Sequence, residues 1–224
     1  MNPPVSLDIQ GYGGRRLENR FWRSTQPVGW LTVLLPGMGY HSDKPLLYYS
    51  RMVFLYHGLD VLDLMPGTGS EEFQQVAVET RLTWLESDVK AGIESGLGQG
   101  GYHGIVLAGK SIGTIGVALG LPFAASRLAT AAIWLTPLLR ETVLVEAAMR
   151  CESRQLFLGS QADQTYRQDR LEQILETCPL AVSWVAPQGN HSLEIEGDER
   201  ASLHLLSQAV EITGKFIDGL LLDE

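Results

Sequence analysis

The chain has 224 residues, 45% of them hydrophobic and 19% charged, with a formal net charge of -9. That balance belongs to a folded globular protein of one sizeable core and excludes an intrinsically disordered chain. Basic residues are scattered, which argues against nucleic acid or an anionic membrane as partner, because both demand a concentrated positive patch. Along the chain, residues 5–9 alternate apolar and polar side chains and are followed by the Gly-rich 11–14 and by 17–23, a β-hairpin pattern. Apolar strands are then expected at 30–35, 60–65, 104–108, 131–136, 155–159 and 181–186. Several are unbroken apolar runs, as in strands covered on both faces. Helical patterns lie between them at 71–96, 114–125, 141–150, 164–177 and 201–221. The alternation predicts one α/β domain over 1–224 with a mostly parallel, doubly wound sheet and an N-terminal antiparallel hairpin.

No apolar run approaches the ~20 residues of a membrane span. The first ten residues carry neither a basic nor an apolar leader region, so the expectation is a cytoplasmic protein. Cys151 and Cys178 have no CxxC or Cys/His spacing. Two free thiols, no metal and no cofactor are expected.

Doubly wound sheets do their chemistry at the carboxyl ends of the strands. After 104–108 comes Gly109-Lys110-Ser111-Ile112-Gly113. This G-x-S-x-G pattern places a serine on a sharp strand-to-helix turn, with glycines where side chains would collide with backbone. After 155–159 comes Asp163, and after 181–186 comes His191. His191 would take the proton from Ser111, and Asp163 would hold the imidazole tautomer. Asp169, inside a predicted helix, is a weaker rival for the acid. His41, His57, His103 and His204 fit a strand-end base less well. Pro36-Gly37-Met38-Gly39-Tyr40 follows 30–35, so the N–H groups of Met38 and Ile112 would receive a developing oxyanion, with Gly39 the alternative to Met38.

LLPGMG at 34–39, GKSIG at 109–113, Asp163 and GNHSL at 189–193 together resemble the α/β-hydrolase superfamily over nearly the whole chain. The compact layout is similar to the dienelactone-hydrolase-like branch of esterases. The resemblance implies a metal-free serine hydrolase acting on a small ester or thioester through an acyl-enzyme on Ser111. Acyl transfer to another acceptor is the alternative. The chain departs from the pattern in having Pro36-Gly37 where many members have His-Gly, and Ser111 where dienelactone hydrolases use cysteine.

Two other classes compete. Residues 104–111 match G-x-x-x-x-G-K-[ST], a P-loop pattern, yet the four intervening residues are Ile-Val-Leu-Ala, which read as strand rather than phosphate-cradling loop. An inactive binding member of the fold is disfavoured by the presence of all three triad residue types. Lys110 is expected as a solvated side chain beside the elbow or a donor to loop carbonyls, with contact to an acidic substrate group a further option. Gly39, Tyr40, Lys110 and Leu138 are candidate substrate-binding residues. The 137–154 segment has room for one helix and no lid, which predicts a shallow, open site favouring short acyl groups.

Overall fold

The computed structural model describes residues 3–222. Among these, seven strands form one sheet: β1 (Glu18–Trp22), β2 (Trp30–Leu35), β3 (Asp60–Met65), β4 (Gly104–Ser111), β5 (Ala129–Pro137), β6 (Arg154–Ser160) and β7 (Ala181–Ala186). Their spatial order is β1-β3-β2-β4-β5-β6-β7. All neighbours run parallel except β1 and β3. The helices are α1 (Pro45–Tyr56), α2 (Glu71–Gln75), α3 (Val78–Leu97), α4 (Ile112–Ala125), α5 (Thr142–Arg150), α6 (Gln168–Thr177) and α7 (Glu199–Leu222). None of the described helices is long and apolar enough to cross a membrane.

The period of two along each strand explains the unbroken apolar runs. In β4, Ile105 and Leu107 pack with α3, α4, α5 and α6, while Val106 and Ala108 pack with α1 and α7. Both faces are covered, so positions 105–108 are all apolar.

Two local expectations are revised. The predicted 71–96 helix is broken at Val76 and Ala77, both extended, into α2 and α3. No glycine or proline marks the break. It is held instead by Ser70, which caps α2 by accepting from the Phe73 N–H, and by the Arg81 guanidinium, which donates to the carbonyls of Gln74 and Val76. These are carbonyls a helix end leaves without partners. The N-terminal hairpin is also looser than a regular ladder. Residues 5–10 bridge 16–21 at Val5–Phe21 and Gln10–Arg16, and the Asn19 side chain bonds both the N–H and the carbonyl of Leu7 at 2.8 Å. An amide side chain thus substitutes for backbone pairing.

From β2 the chain crosses to one side to make β3 and then to the other to make β4. The gap beyond the carboxyl ends of β2 and β4 is therefore the switch point, where open α/β sheets hold their ligands. The turn after Leu35 and the residue Ser111 both lie there.

Candidate active site

Ser111 ends β4 and immediately precedes α4, with φ 54° and ψ -121°. This is a sparsely populated conformation for a residue with a side chain. The flanking glycines make the bend possible. A Cβ on Gly109 would lie 2.3 Å from the Gly113 carbonyl oxygen, and one on Gly113 would lie 2.2 Å from the Leu35 carbonyl oxygen. Both obstacles are backbone and cannot rotate away. Thr114, fully buried, donates its hydroxyl to the Ser111 carbonyl and accepts from the Leu138 N–H at 3.4 Å, tying the elbow to the end of β5.

Asp163 lies just past β6 and is 5% exposed. His191, past β7, directs Nδ1 at Asp163 Oδ2 over 2.7 Å. The other carboxylate oxygen accepts from the Thr165 N–H at 2.8 Å and from its hydroxyl at 2.9 Å. Burial works against the Asp163 charge, but the bonds from His191 and Thr165 outweigh it and hold the carboxyl below its ordinary range. With Nδ1–H given to Asp163, Nε2 is left as the basic nitrogen. Among the described residues Ser111 Oγ makes no hydrogen bond, an open arrangement common in unliganded sites. Asp169 is remote from this pairing: it is solvent-exposed on the first turn of α6 and its ion pair is with Arg170.

The turn after β2 is closed by reciprocal bonds between Gly37 and Tyr40 of 3.1 and 3.2 Å, with Gly39 at φ 70° as its third position requires. A Cβ on Gly37 would come 3.2 Å from Ser111 Cβ, so the turn lies against the elbow. Within the described residues neither the Met38 nor the Gly39 N–H has a backbone acceptor. Ile112, the first residue of α4, likewise has no intrahelical acceptor. The loop carrying this turn is anchored by charge. Fully buried Asp63 of β3 accepts from the Ser42 hydroxyl, from Arg20 at 2.8 and 3.1 Å, and from buried Arg51 at 3.3 Å. Arg51 also donates to the Ser42 carbonyl at 3.1 Å.

A pocket of about 500 Å³ opens beside Met38 and Ile112. Its walls come from Phe73 and Gln74 of α2, Val78, Arg81, Leu82 and Leu85 of α3, Ile115 of α4, Leu138, and Glu141 and Val143 at the start of α5. The site expected to be shallow thus has a half-enclosed pocket beside it, although Ser111, Asp163 and His191 are not among its walls. The apolar wall absent after β5 is supplied by the segment after β3, whose broken helix swings α2 over the cleft.

Of the expectations for Lys110, the solvated side chain is corrected and the donor to a loop carbonyl holds. It is 1% exposed rather than solvated, and its Nζ donates to the His191 carbonyl at 3.0 Å while lying 4.3 Å from the centre of the Tyr40 ring. Tyr40 is itself buried, its hydroxyl accepting from the Leu46 N–H. Neither Lys110 nor Tyr40 lines the pocket, because each is the other's packing partner beneath the His191 loop. Leu138 does line it, and Gly39 is on the exposed rim of the turn. Burial lowers the Lys110 ammonium from 10.5 to about 8, with Asp163 and Glu194 opposing the shift and Lys44 adding to it.

Below about pH 8 Lys110 is protonated in both the folded and the unfolded chain, and burying its charge costs the folded state ~3 kcal/mol. Lys110→Met should therefore match or exceed the wild-type melting temperature at pH 7, the lost hydrogen bond offsetting part of the gain. Between about pH 8 and 10.5 the unfolded chain binds the proton and the folded chain does not, so wild-type stability rises and the variant's advantage disappears. Thermal melts of both proteins from pH 7 to 10 check this; a variant destabilised at pH 7 by several degrees contradicts it.

No family model and no curated protein sequence matches the chain. Solved structures do. Est1E from Butyrivibrio proteoclasticus superposes with a TM-score of 0.75 at 12% identity, covering 100% of both chains. The Pyrococcus furiosus esterase Pf2001 gives 0.72 at 12% identity over 96% of this chain and 91% of its own. An alpha-beta serine hydrolase homologue from Coxiella burnetii gives 0.69 at 15% identity over 95% and 97%. The chain has the α/β-hydrolase fold.

Within this fold the P-loop reading fails on geometry. Residues 104–109 are strand, paired in register with β2 and β5, so no loop is present to cradle phosphate. Lys110 is committed to the His191 carbonyl. Between β5 and β6 the α/β-hydrolase fold here carries α5 and no lid insertion, as the sequence suggests. Thr165, Thr114 and the Ser42–Asp63–Arg51 anchor are contributors that sequence reasoning missed. Only Asp63 left a signal, as a charge between the apolar residues Leu62 and Leu64 of β3.

Proposed function

We propose that this protein is a serine hydrolase that cleaves a small carboxylic ester or thioester through an acyl-enzyme on Ser111. The observation that carries the reading is Ser111 at φ 54° between two glycines with no room for a Cβ. A plain strand–helix connection has no reason to keep that strain, whereas a nucleophile that must stand clear of the sheet does. The Asp163–His191 pair at 2.7 Å supports the same reading.

In the first half-reaction His191 Nε2 removes the Ser111 hydroxyl proton as Oγ attacks the carbonyl carbon. The negative charge passes to the carbonyl oxygen, which the N–H groups of Ile112 and Met38 receive. Met38 is preferred to Gly39 because it shares the pocket wall with Ile112. One such donor in a comparable enzyme is worth ~3–4 kcal/mol of barrier. The imidazolium, stabilised by Asp163, then gives its proton to the departing alcohol or thiol, and water repeats the sequence to release the acid. Esterase and serine hydrolase names among the structural neighbours support this class of chemistry.

The test is covalent labelling. A fluorophosphonate incubated with the purified protein should add one phosphonyl group, located on Ser111 by peptide mass spectrometry and absent in Ser111→Ala. An adduct on any other residue, or none, would sink the proposal.

A further inference from the structure

Hydrolysis at Ser111, as proposed above, leaves two sides of the substrate to be placed: the acyl group and the leaving group. The leaving oxygen or sulfur must be within reach of His191, because the imidazole protonates it. The 500 Å³ pocket touches Met38 and Ile112, which flank the carbonyl oxygen's site, yet none of its lining residues comes from the segment after β6 that carries Asp163 and His191. It therefore lies on the side of the carbonyl away from the base. We infer that this pocket is the acyl-binding subsite and that it selects a neutral acyl group with an apolar body of roughly six to ten carbons, straight or single-ringed.

The lining supports that chemistry. Phe73, Leu82, Leu85, Ile115, Leu138 and Val143 give an apolar interior. Arg81 lines it as well, but its guanidinium is engaged by the Gln74 and Val76 carbonyls and has no carboxylate partner among the described residues. Its role is to clasp α2 to α3 and so hold the wall in place. Met38 adds a second fastening, its sulfur 3.7 Å from the Gln74 amide. Glu141 brings negative charge to the same space and works against an acyl group ending in a carboxylate. No wall of this pocket comes from the His191 side, so it places little demand on the alcohol.

Two ester series separate the sides. With p-nitrophenol fixed, kcat/KM should rise from acetate to a maximum between hexanoate and decanoate, by about two- to fourfold per buried methylene, and then fall. With the acyl group fixed as butyrate, lengthening the alcohol should change kcat/KM less than threefold overall. Leu82→Trp and Val143→Phe each narrow the pocket from a different, partly exposed wall, and each should move the maximum to shorter chains. Arg81→Met should lower the octanoate-to-acetate ratio by loosening α2, a readout that a general loss of stability would not move. Binding is tested apart from catalysis by calorimetry of octanamide and acetamide with Ser111→Ala. Octanamide binding in a protein that cleaves no ester leaves the subsite standing and removes the hydrolase reading. Ester cleavage with no acyl-length preference, or a preference confined to the alcohol series, overturns the subsite alone.

Discussion

Ser111→Ala and His191→Ala should each lower kcat for a p-nitrophenyl ester by ~10⁶-fold, and the double variant should be no worse than either. The reason is that in the proposed mechanism the two residues act as one device. Without the base the hydroxyl at the elbow is a poor nucleophile; without the hydroxyl the base has nothing of the enzyme's to activate. Either loss leaves the same remnant, a pocket and two oxyanion donors acting on a water attack. Folding should survive in both variants. Ser111 is partly exposed at the site with no hydrogen bond from Oγ among the described residues, and His191 is 29% exposed in its side chain. Circular dichroism and melting curves provide the control, and stopped assays at high enzyme concentration measure the remnant. A tenfold loss in His191→Ala, or losses that multiply in the double variant, would remove His191 from the role.

Asp163→Asn should lower kcat by ~10⁴-fold, while Asp169→Asn should leave it within a factor of about two. Asp163 Oδ2 lies 2.7 Å from His191 Nδ1, and in the proposed mechanism that bond selects the tautomer with Nε2 free for Ser111. An amide in the same place can present its NH2 to the ring and favour the opposite tautomer, leaving the geometry intact and the base facing the wrong way. The variant should also change the response to acid. In the wild-type protein the folded-state Asp163 carboxyl sits below its ordinary value. It therefore contributes stability that is present above the ordinary carboxylate pKa and is lost as pH falls through the folded-state value. Asp163→Asn should show less destabilisation over that acidic window. Asp169 has no such link to the site, being exposed on α6 with a neighbouring arginine as its ion-pair partner. A crippled Asp169→Asn beside a normal Asp163→Asn would reverse the assignment of the acid.

Much of this arrangement is local and was therefore legible along the chain. The central strands β2, β4 and β5 announce themselves as apolar runs because helices cover both faces of the sheet, so nearly every position answers to burial whichever way it points. The elbow is legible for a similar reason. The obstacle to a Cβ on Gly109 is the backbone of Gly113, four residues away, so part of the constraint is written inside five consecutive residues. The order of Ser111, Asp163 and His191 follows from strand ends, and strand ends follow from the same apolar pattern.

What the sequence by itself determined is thus the succession of elements, the order Ser111, Asp163, His191 along the strand ends and the sharp turn that carries Ser111. The tertiary structure decided the rest, wherever the deciding contact is distant in the chain. Arg81 breaks a helix by bonding carbonyls that any residue would offer, so no residue type marks the break. Lys110 reads equally as a solvated charge or a donor to a loop carbonyl until the His191 carbonyl, 81 positions away, and the Tyr40 ring are brought against it. The pocket draws its walls from α2, α3, α4 and α5, and a cavity bounded by four separate helices has no linear signature. Burial and periodicity act over neighbouring residues and survive in a one-dimensional pattern; enclosure and charge compensation are sums over the whole fold and come into being only when it closes.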